Sequence, residues 1–237
     1  QSSLDFYLKL VATIDSDYEK SRDLLAAIER YPLASGQVNQ IMDAATKMHS
    51  DYEKSRLLTG LTGKGKFDES QMGSYLKVVA SLQSDYERSR SLLSLIEHNR
   101  LSAASVSKAL QAMAASKSDY EKSRVLTGLM AYNFDENQIN SYLSIVDSMS
   151  SANERSRCLI ALLDHGKLSD ASLGKVLAMV AHTDADYEKS RVLLAVVARY
   201  SPLSAALRES YIKTAESIGS EYERTRALAA VVRKASL

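Results

Sequence analysis

One seven-residue phrase, Ser-Asp-Tyr-Glu-Lys-Ser-Arg, constrains this chain more than anything else in it, because it returns seven times at a nearly fixed interval. It reads SDYEKSR at 16–22, 50–56 and 118–124, and SDYERSR at 84–90. Variants follow as SANERSR at 151–157, ADYEKSR at 185–191 and SEYERTR at 220–226. The closing arginines step by 34, 34, 34, 33, 34 and 35 residues. A period of this length belongs to a solenoid, in which each unit buries its apolar face only against its neighbours. The expected fold is therefore all-α, an α-solenoid of about seven two-helix repeats in one repeat domain over 1–237.

Each unit holds two helical patterns. The first, helix A, opens with the phrase, so helix pairs begin near 16, 50, 84, 118, 151, 185 and 220. Serine followed three residues later by glutamate is a capping box, in which the hydroxyl takes one orphan N–H and the carboxylate reaches back for another. The copy at Ala185 lacks the hydroxyl, and Asp184 is the expected substitute. Leucine recurs six residues beyond each tyrosine position, at Leu24, Leu58, Leu92, Leu126, Leu159, Leu193 and Leu228, and starts an apolar stripe.

Helix B follows a short connector ending in an apolar residue and a second cap, as at Phe67-Asp68, Leu101-Ser102, Phe134-Asp135 and Leu168-Ser169. The apolar residue there is placed to staple the helix start. Met72, Tyr75, Leu76, Val79 and Leu82 mark one apolar stripe, and Val38, Ile41, Met42, Ala45 and Met48 repeat it. Leu4, Tyr7, Leu8, Val11 and Ile14 give the same pattern, so residues 1–15 are a leading half repeat on a B helix. The start at Gln1, halfway through a repeat, suggests a processed protein or an excised piece of a longer one.

A second period lies over the first. Tyr7, Tyr75, Tyr142 and Tyr211 occupy one helix-B position in alternate units, with Ile41, Ala109 and Val176 between them. A ligand-stacking row is one reading. Large–small alternation in the core is the better one, with hydroxyls that reach the surface.

The phrase keeps its glutamate and arginine in every copy: Glu19 with Arg22, Glu53 with Arg56, Glu87 with Arg90, Glu121 with Arg124, Glu154 with Arg157, Glu188 with Arg191, and Glu223 with Arg226. The structural reading is a ladder of arginines between stacked units, each paired with Glu or Asp from its own or the adjacent repeat and lying on a tyrosine ring, and a buried ladder of this kind fixes register. The functional reading is an anion-binding or acidic-partner stripe. Glutamates accompany the arginines throughout, which favours the structural one.

Little else carries chemistry. The 30 basic and 29 acidic residues give no global field for nucleic acid or an anionic membrane, so nucleic acid is an unfavoured partner. No apolar run is long enough to span a bilayer, so no membrane insertion is expected in this segment. Cys158 is alone and excludes an internal disulfide. His49, His98, His165 and His182 are scattered without metal spacing, and the Gly63–Lys66 stretch lacks the full phosphate-loop pattern. No nucleophile, base and orienting group recur together, so neither catalysis nor a cofactor or metal is expected.

Paired helices with a recurring acid–arginine element resemble the HEAT class of helical repeat, although the period is that of tetratricopeptide repeats. Copies such as SDYEKSRVLTGL are similar to helical repeats of bacterial exported or membrane-anchored proteins, some of them appended to membrane metallopeptidases. That resemblance implies a HEAT-like superhelix, an exported or periplasmic location, and a regulatory arm of a larger protein as one possible use. The leading expectation is a noncatalytic scaffold that binds a protein or peptide along its B helices. Asn39, Lys77, Lys108, Ser144, Lys175 and Lys213, beside the core stripes, are the candidate contact residues.

Overall fold

A computed structural model describes residues 3–235, whose regular structure is entirely helical. They divide into two compact units, the first ending at Gly128 and the second beginning at Leu129. The first unit holds α1 (Ser3–Ala12), α2 (Asp17–Arg30), α3 (Ser35–Thr46), α4 (Asp51–Thr62), α5 (Glu69–Ala80), α6 (Asp85–His98), α7 (Ala103–Ala114) and α8 (Asp119–Gly128). The second opens with a short 3-10 turn, Leu129–Ala131. It continues with α9 (Glu136–Asp147), α10 (Ala152–His165), α11 (Asp170–Ala181), α12 (Asp186–Tyr200), α13 (Ala205–Glu216) and α14 (Glu221–Ala235).

Even-numbered helices are the A helices and odd-numbered ones the B helices. Within the first unit α2, α4, α6 and α8 pack in one row and α1, α3, α5 and α7 in another. In the second unit α10, α12 and α14 form one row and α9, α11 and α13 the other. Within each unit the helices thus pack both on sequence neighbours and on their counterparts in adjacent repeats, which is the layering of an α-solenoid.

The stripes dictate that layering. Leu24, Leu58, Leu92 and Leu126 in the first unit, and Leu159 and Leu193 in the second, are buried to 2% exposure or less. Each such leucine stabilises the fold by roughly 1.5–3 kcal/mol relative to leaving it in water. Of the alternate tyrosines Tyr7 is 37% exposed, whereas Tyr75, Tyr142 and Tyr211 are wholly buried and fill the largest core positions. Their hydroxyls do not reach the surface. They donate instead to main-chain carbonyls of the following A helix: Tyr75 to Ser91 at 2.8 Å, Tyr142 to Cys158 at 2.9 Å and Tyr211 to Ala227 at 3.0 Å. A buried phenol needs a partner, and a helix carbonyl has a second lone pair to spare. Phe67 and Phe134, at the ends of their connectors, pack on the rings of Tyr75 and Tyr142 with centroids 5.6 and 5.9 Å apart.

The helix starts differ between the rows. Asp68 and Asp135 close full capping boxes with Gln71 and Gln138 at α5 and α9. At the A helices only half of the expected box forms. Ser50 Oγ accepts from Glu53 N at 3.3 Å, and Ser16, Ser84, Ser118 and Ser151 do likewise. The glutamate carboxylate is engaged elsewhere, and the cap N–H of Ser50 goes to Asp17 of the preceding repeat. Ala185 starts α12 without a side-chain cap hydrogen bond. Ala185→Ser is therefore expected to raise stability by about 1 kcal/mol, measured as a shift in urea midpoint at constant m-value; no shift would mean that the first turn of α12 is already satisfied.

Between α4 and α5, Lys64 and Lys66 serve neighbouring helix ends. Their ammonium groups donate to the carbonyls of Glu29 at 3.2 Å and His98 at 3.0 Å, near the C-termini of α2 and α6. Cations there offset the negative end of the helix dipole.

Candidate protein-interaction surface

The phrase sits at the first turns of the A helices, where most of its polar residues face a neighbouring helix. Its aspartate clamps the next repeat. Asp17 Oδ2 accepts from the main-chain N–H of His49 and Ser50 at 2.7 Å each, and Asp51 from Gln83 and Ser84 at 2.7 and 2.6 Å. Asp85 does the same for Lys117 and Ser118, and Asp186 for Gly219 and Ser220. The sixth residue, serine, is also turned inward. Ser21 donates to Glu53 and Ser89 to Glu121 in the first unit, and Ser156 to Glu188 in the second. Ser190 interrupts the pattern, with its buried Oγ unpartnered.

The fifth residue, lysine or arginine, is buried at Lys20, Lys54, Arg88, Lys122 and Lys189. Lys54 Nζ reaches Ser81 Oγ at 3.2 Å and Lys189 Nζ reaches Ser217 Oγ at 3.2 Å, at the C-terminal caps of α5 and α13. Arg88 donates to Asp85 and to Ser116 near the end of α7. Cation and helix terminus are again complementary.

Arginine ends the phrase, and each of the seven pairs with the glutamate of its own copy. Arg56–Glu53 and Arg191–Glu188 close at 2.8 Å, Arg124–Glu121 at 3.0 Å, Arg90–Glu87 at 3.3 Å, and Arg157–Glu154 and Arg226–Glu223 at 3.5 Å. Arg22 pairs with Glu19. These pairs are not buried at the arginine end, where side-chain exposure runs from 29% at Arg56 to 54% at Arg22. Such pairs contribute about 0–1 kcal/mol each. Contact between repeats falls to the aspartate and the serine–glutamate bond, two roles that sequence reasoning missed although both residues recur in nearly every copy. Arg56, Arg124 and Arg191 also lie over the rings of Tyr52, Tyr120 and Tyr187, 5.6–5.7 Å from the centroids.

On the B helices, Lys77, Lys108, Ser144, Lys175 and Lys213 are exposed, whereas Asn39 is half-buried with an unpartnered Oδ1. The first unit brings Lys77 and Lys108 together. They edge an open groove of about 490 Å³ between α5 and α7, floored by Gly73, Leu76, Ala80, Ala112 and Ala115. In the second unit Lys175 donates to Asn140 Oδ1 at 2.6 Å, and Lys213 lines a shallow hollow of α13 with Arg208, Glu209 and Ile212. Among the described residues no three His, Cys, Asp or Glu side chains are grouped as metal ligands, and no helix is long and apolar enough to cross a membrane.

No protein-family model matches the chain, and no curated protein matches it. Among solved structures it is similar to an engineered protein, at 14% identity and a TM-score of 0.52, over 98% of this chain and 68% of that one. At that identity the likeness speaks for the fold alone. A designed self-assembling cyclic homo-oligomer aligns over 99% of this chain and 77% of its own, at 10% identity and a TM-score of 0.20, too low to bear on the fold.

Proposed function

We propose that this helical array is a noncatalytic scaffold that binds a protein or peptide on the exposed side of its B helices. The observation that carries the reading is the groove between α5 and α7. Its floor is built of small residues and Leu76, which lets a partner backbone approach closely, and Lys77 and Lys108 stand at its edge. An apolar floor with a cationic edge suits an amphipathic segment that presents acidic side chains beside an apolar stripe. The near balance of 30 basic and 29 acidic residues weighs against a nucleic-acid partner, which needs a strongly basic face.

The test is fluorescence anisotropy with a labelled acidic amphipathic peptide. Lys77→Glu/Lys108→Glu is expected to weaken binding at least about tenfold, equivalent to about 1.4 kcal/mol, and a basic peptide of the same pattern should bind the variant better than the parent. Equal affinity for parent and variant would remove the groove from the reading. Turnover of the probe would overturn a noncatalytic role.

A further inference from the structure

Two residues of the phrase have no inward role, the tyrosine and the arginine, and Arg56 and Arg124 lie over the rings of Tyr52 and Tyr120. Its first serine caps the helix, the aspartate and second serine link repeats, the fifth residue serves a B-helix end, and glutamate holds arginine. The tyrosine points out. Tyr18, Tyr52, Tyr86 and Tyr120 are 55–57% exposed, each at the second residue of its helix, and the helices that carry them pack side by side in the first unit. Four rings at equivalent positions of consecutive helices make a row, each with an arginine one turn further along. We propose that this row is a docking track for a proline-rich segment in the polyproline II conformation, on a different helix row from the lysine-edged groove.

Spacing is the first argument. Packed helices lie about 8–10 Å apart, so equivalent tyrosines recur at that step. A polyproline II chain rises about 3.1 Å per residue with three residues per turn, so it presents the same face every 9 Å or so. One proline in three therefore meets one ring per repeat, and a segment of about ten residues spans four rings. An extended strand repeats its face about every 6.8 Å and drifts out of step within two repeats.

Polarity is the second argument. A polyproline II chain makes no internal hydrogen bonds, so all its carbonyls stand free as acceptors, and each proline removes one competing N–H. The row offers donors: the tyrosine O–H and the guanidinium N–H groups left over from the glutamate bond, since arginine carries five. Charge is the third. Each of these four copies holds Asp and Glu against two cations, so the track is electrically balanced and suits a neutral ligand over a polyanion. Proline rings stack on exposed aromatic faces at little entropic cost because the ligand is already extended.

The experiment measures anisotropy of three labelled 13-residue peptides of identical composition, with proline at every third position, at every fourth, or shuffled. The period-three peptide is expected to bind the intact 237-residue chain at least tenfold more tightly than either other. Tyr52→Ala/Tyr86→Ala should lose at least tenfold, Tyr52→Phe/Tyr86→Phe should lose about three- to tenfold, less than the alanine pair, because two hydroxyl donors go while stacking survives, and Lys77→Glu/Lys108→Glu should leave binding unchanged. Helicity of each variant is checked by circular dichroism, and the phenylalanine pair tests the row even where the alanine pair is perturbed. Equal affinity for the period-three and period-four peptides, or full binding by the alanine pair, overturns the proposal. So does tighter binding of a neutral oligosaccharide or of single-stranded DNA in the same assay, which would assign the row to another polymer. Loss of acidic-peptide binding in the lysine variant leaves this result untouched, so the two surfaces fail separately.

Discussion

Tyr142→Ala is expected to lower the unfolding free energy by about 3–5 kcal/mol, the range for deleting a large aromatic side chain from a packed core. The ring is wholly buried, packs at 60° against Phe134, and spans from α9 to the Cys158 carbonyl of α10. Removing it leaves a cavity between two helices that have no other layer to collapse onto. Tyr142→Phe keeps the volume and deletes one neutral hydrogen bond to a carbonyl that retains other acceptor capacity, so about 1 kcal/mol is expected. Chemical denaturation of both variants separates the contributions. Should phenylalanine cost as much as alanine, the hydroxyl and not the ring is what holds α9 to α10. The hydroxyl's acidity already agrees with a dry site, since burial pushes the Tyr142 phenol well above its ordinary value of 10.0.

Asp85→Ala is the second large effect. That carboxylate accepts two main-chain N–H groups of the next repeat at 2.8 Å each and pairs with Arg88 at 2.7 Å. Bonds to a charged group contribute about 1.5–3 kcal/mol each, and Arg88 is left buried beside the vacancy, so a loss of about 3 kcal/mol is expected. The same groups set the response to acid. Burial raises the carboxyls of Asp17 and Asp85, but the N–H groups of Ser50 and His49, and of Ser118 and Lys117, outweigh it and hold both below the ordinary 3.8. Asp186 is lowered chiefly by Ser220 and Gly219. A folded value below the unfolded one means that the carboxylate contributes stability in full above the unfolded value of 3.8, and that this contribution is lost as pH falls through the folded value. Helicity followed from pH 7 to 2 should therefore fall below pH 4, and replacing Asp17, Asp85 and Asp186 by asparagine should flatten that slope. An unchanged acid transition in the triple variant would shift the cause to the glutamates.

Much of the architecture was legible because its signals are local. The apolar spacing from Leu58 to Leu61 and from Met72 to Val79 depends only on the helical period, and the burial of these residues follows from it. The serine caps needed only their own first turn. The lysine-edged groove was not legible in the same way. Lys77 and Lys108 lie 31 residues apart and so occupy different positions in their repeats, and only the packing of α5 on α7 places them along one edge. Asn39 is half-buried where the lysines are exposed, because position beside a stripe does not say how far the neighbouring helix overlaps it.

The chain's periodicity determined by itself that α-helices would pair, where each begins, and which side of each would be apolar, since those depend on spacings of three to seven residues. Tertiary structure decided the partners of the polar residues, because those choices are made across 32 to 36 residues between helices that touch only when stacked. The glutamate of the phrase has a local option, its own cap N–H, and a distant one, the serine of the preceding repeat. Stacking settles the choice: the aspartate of that preceding repeat reaches the cap N–H, which frees the glutamate for the buried hydroxyl and for its arginine. With its polar neighbours thus drawn inward, the phrase leaves its tyrosine in solvent.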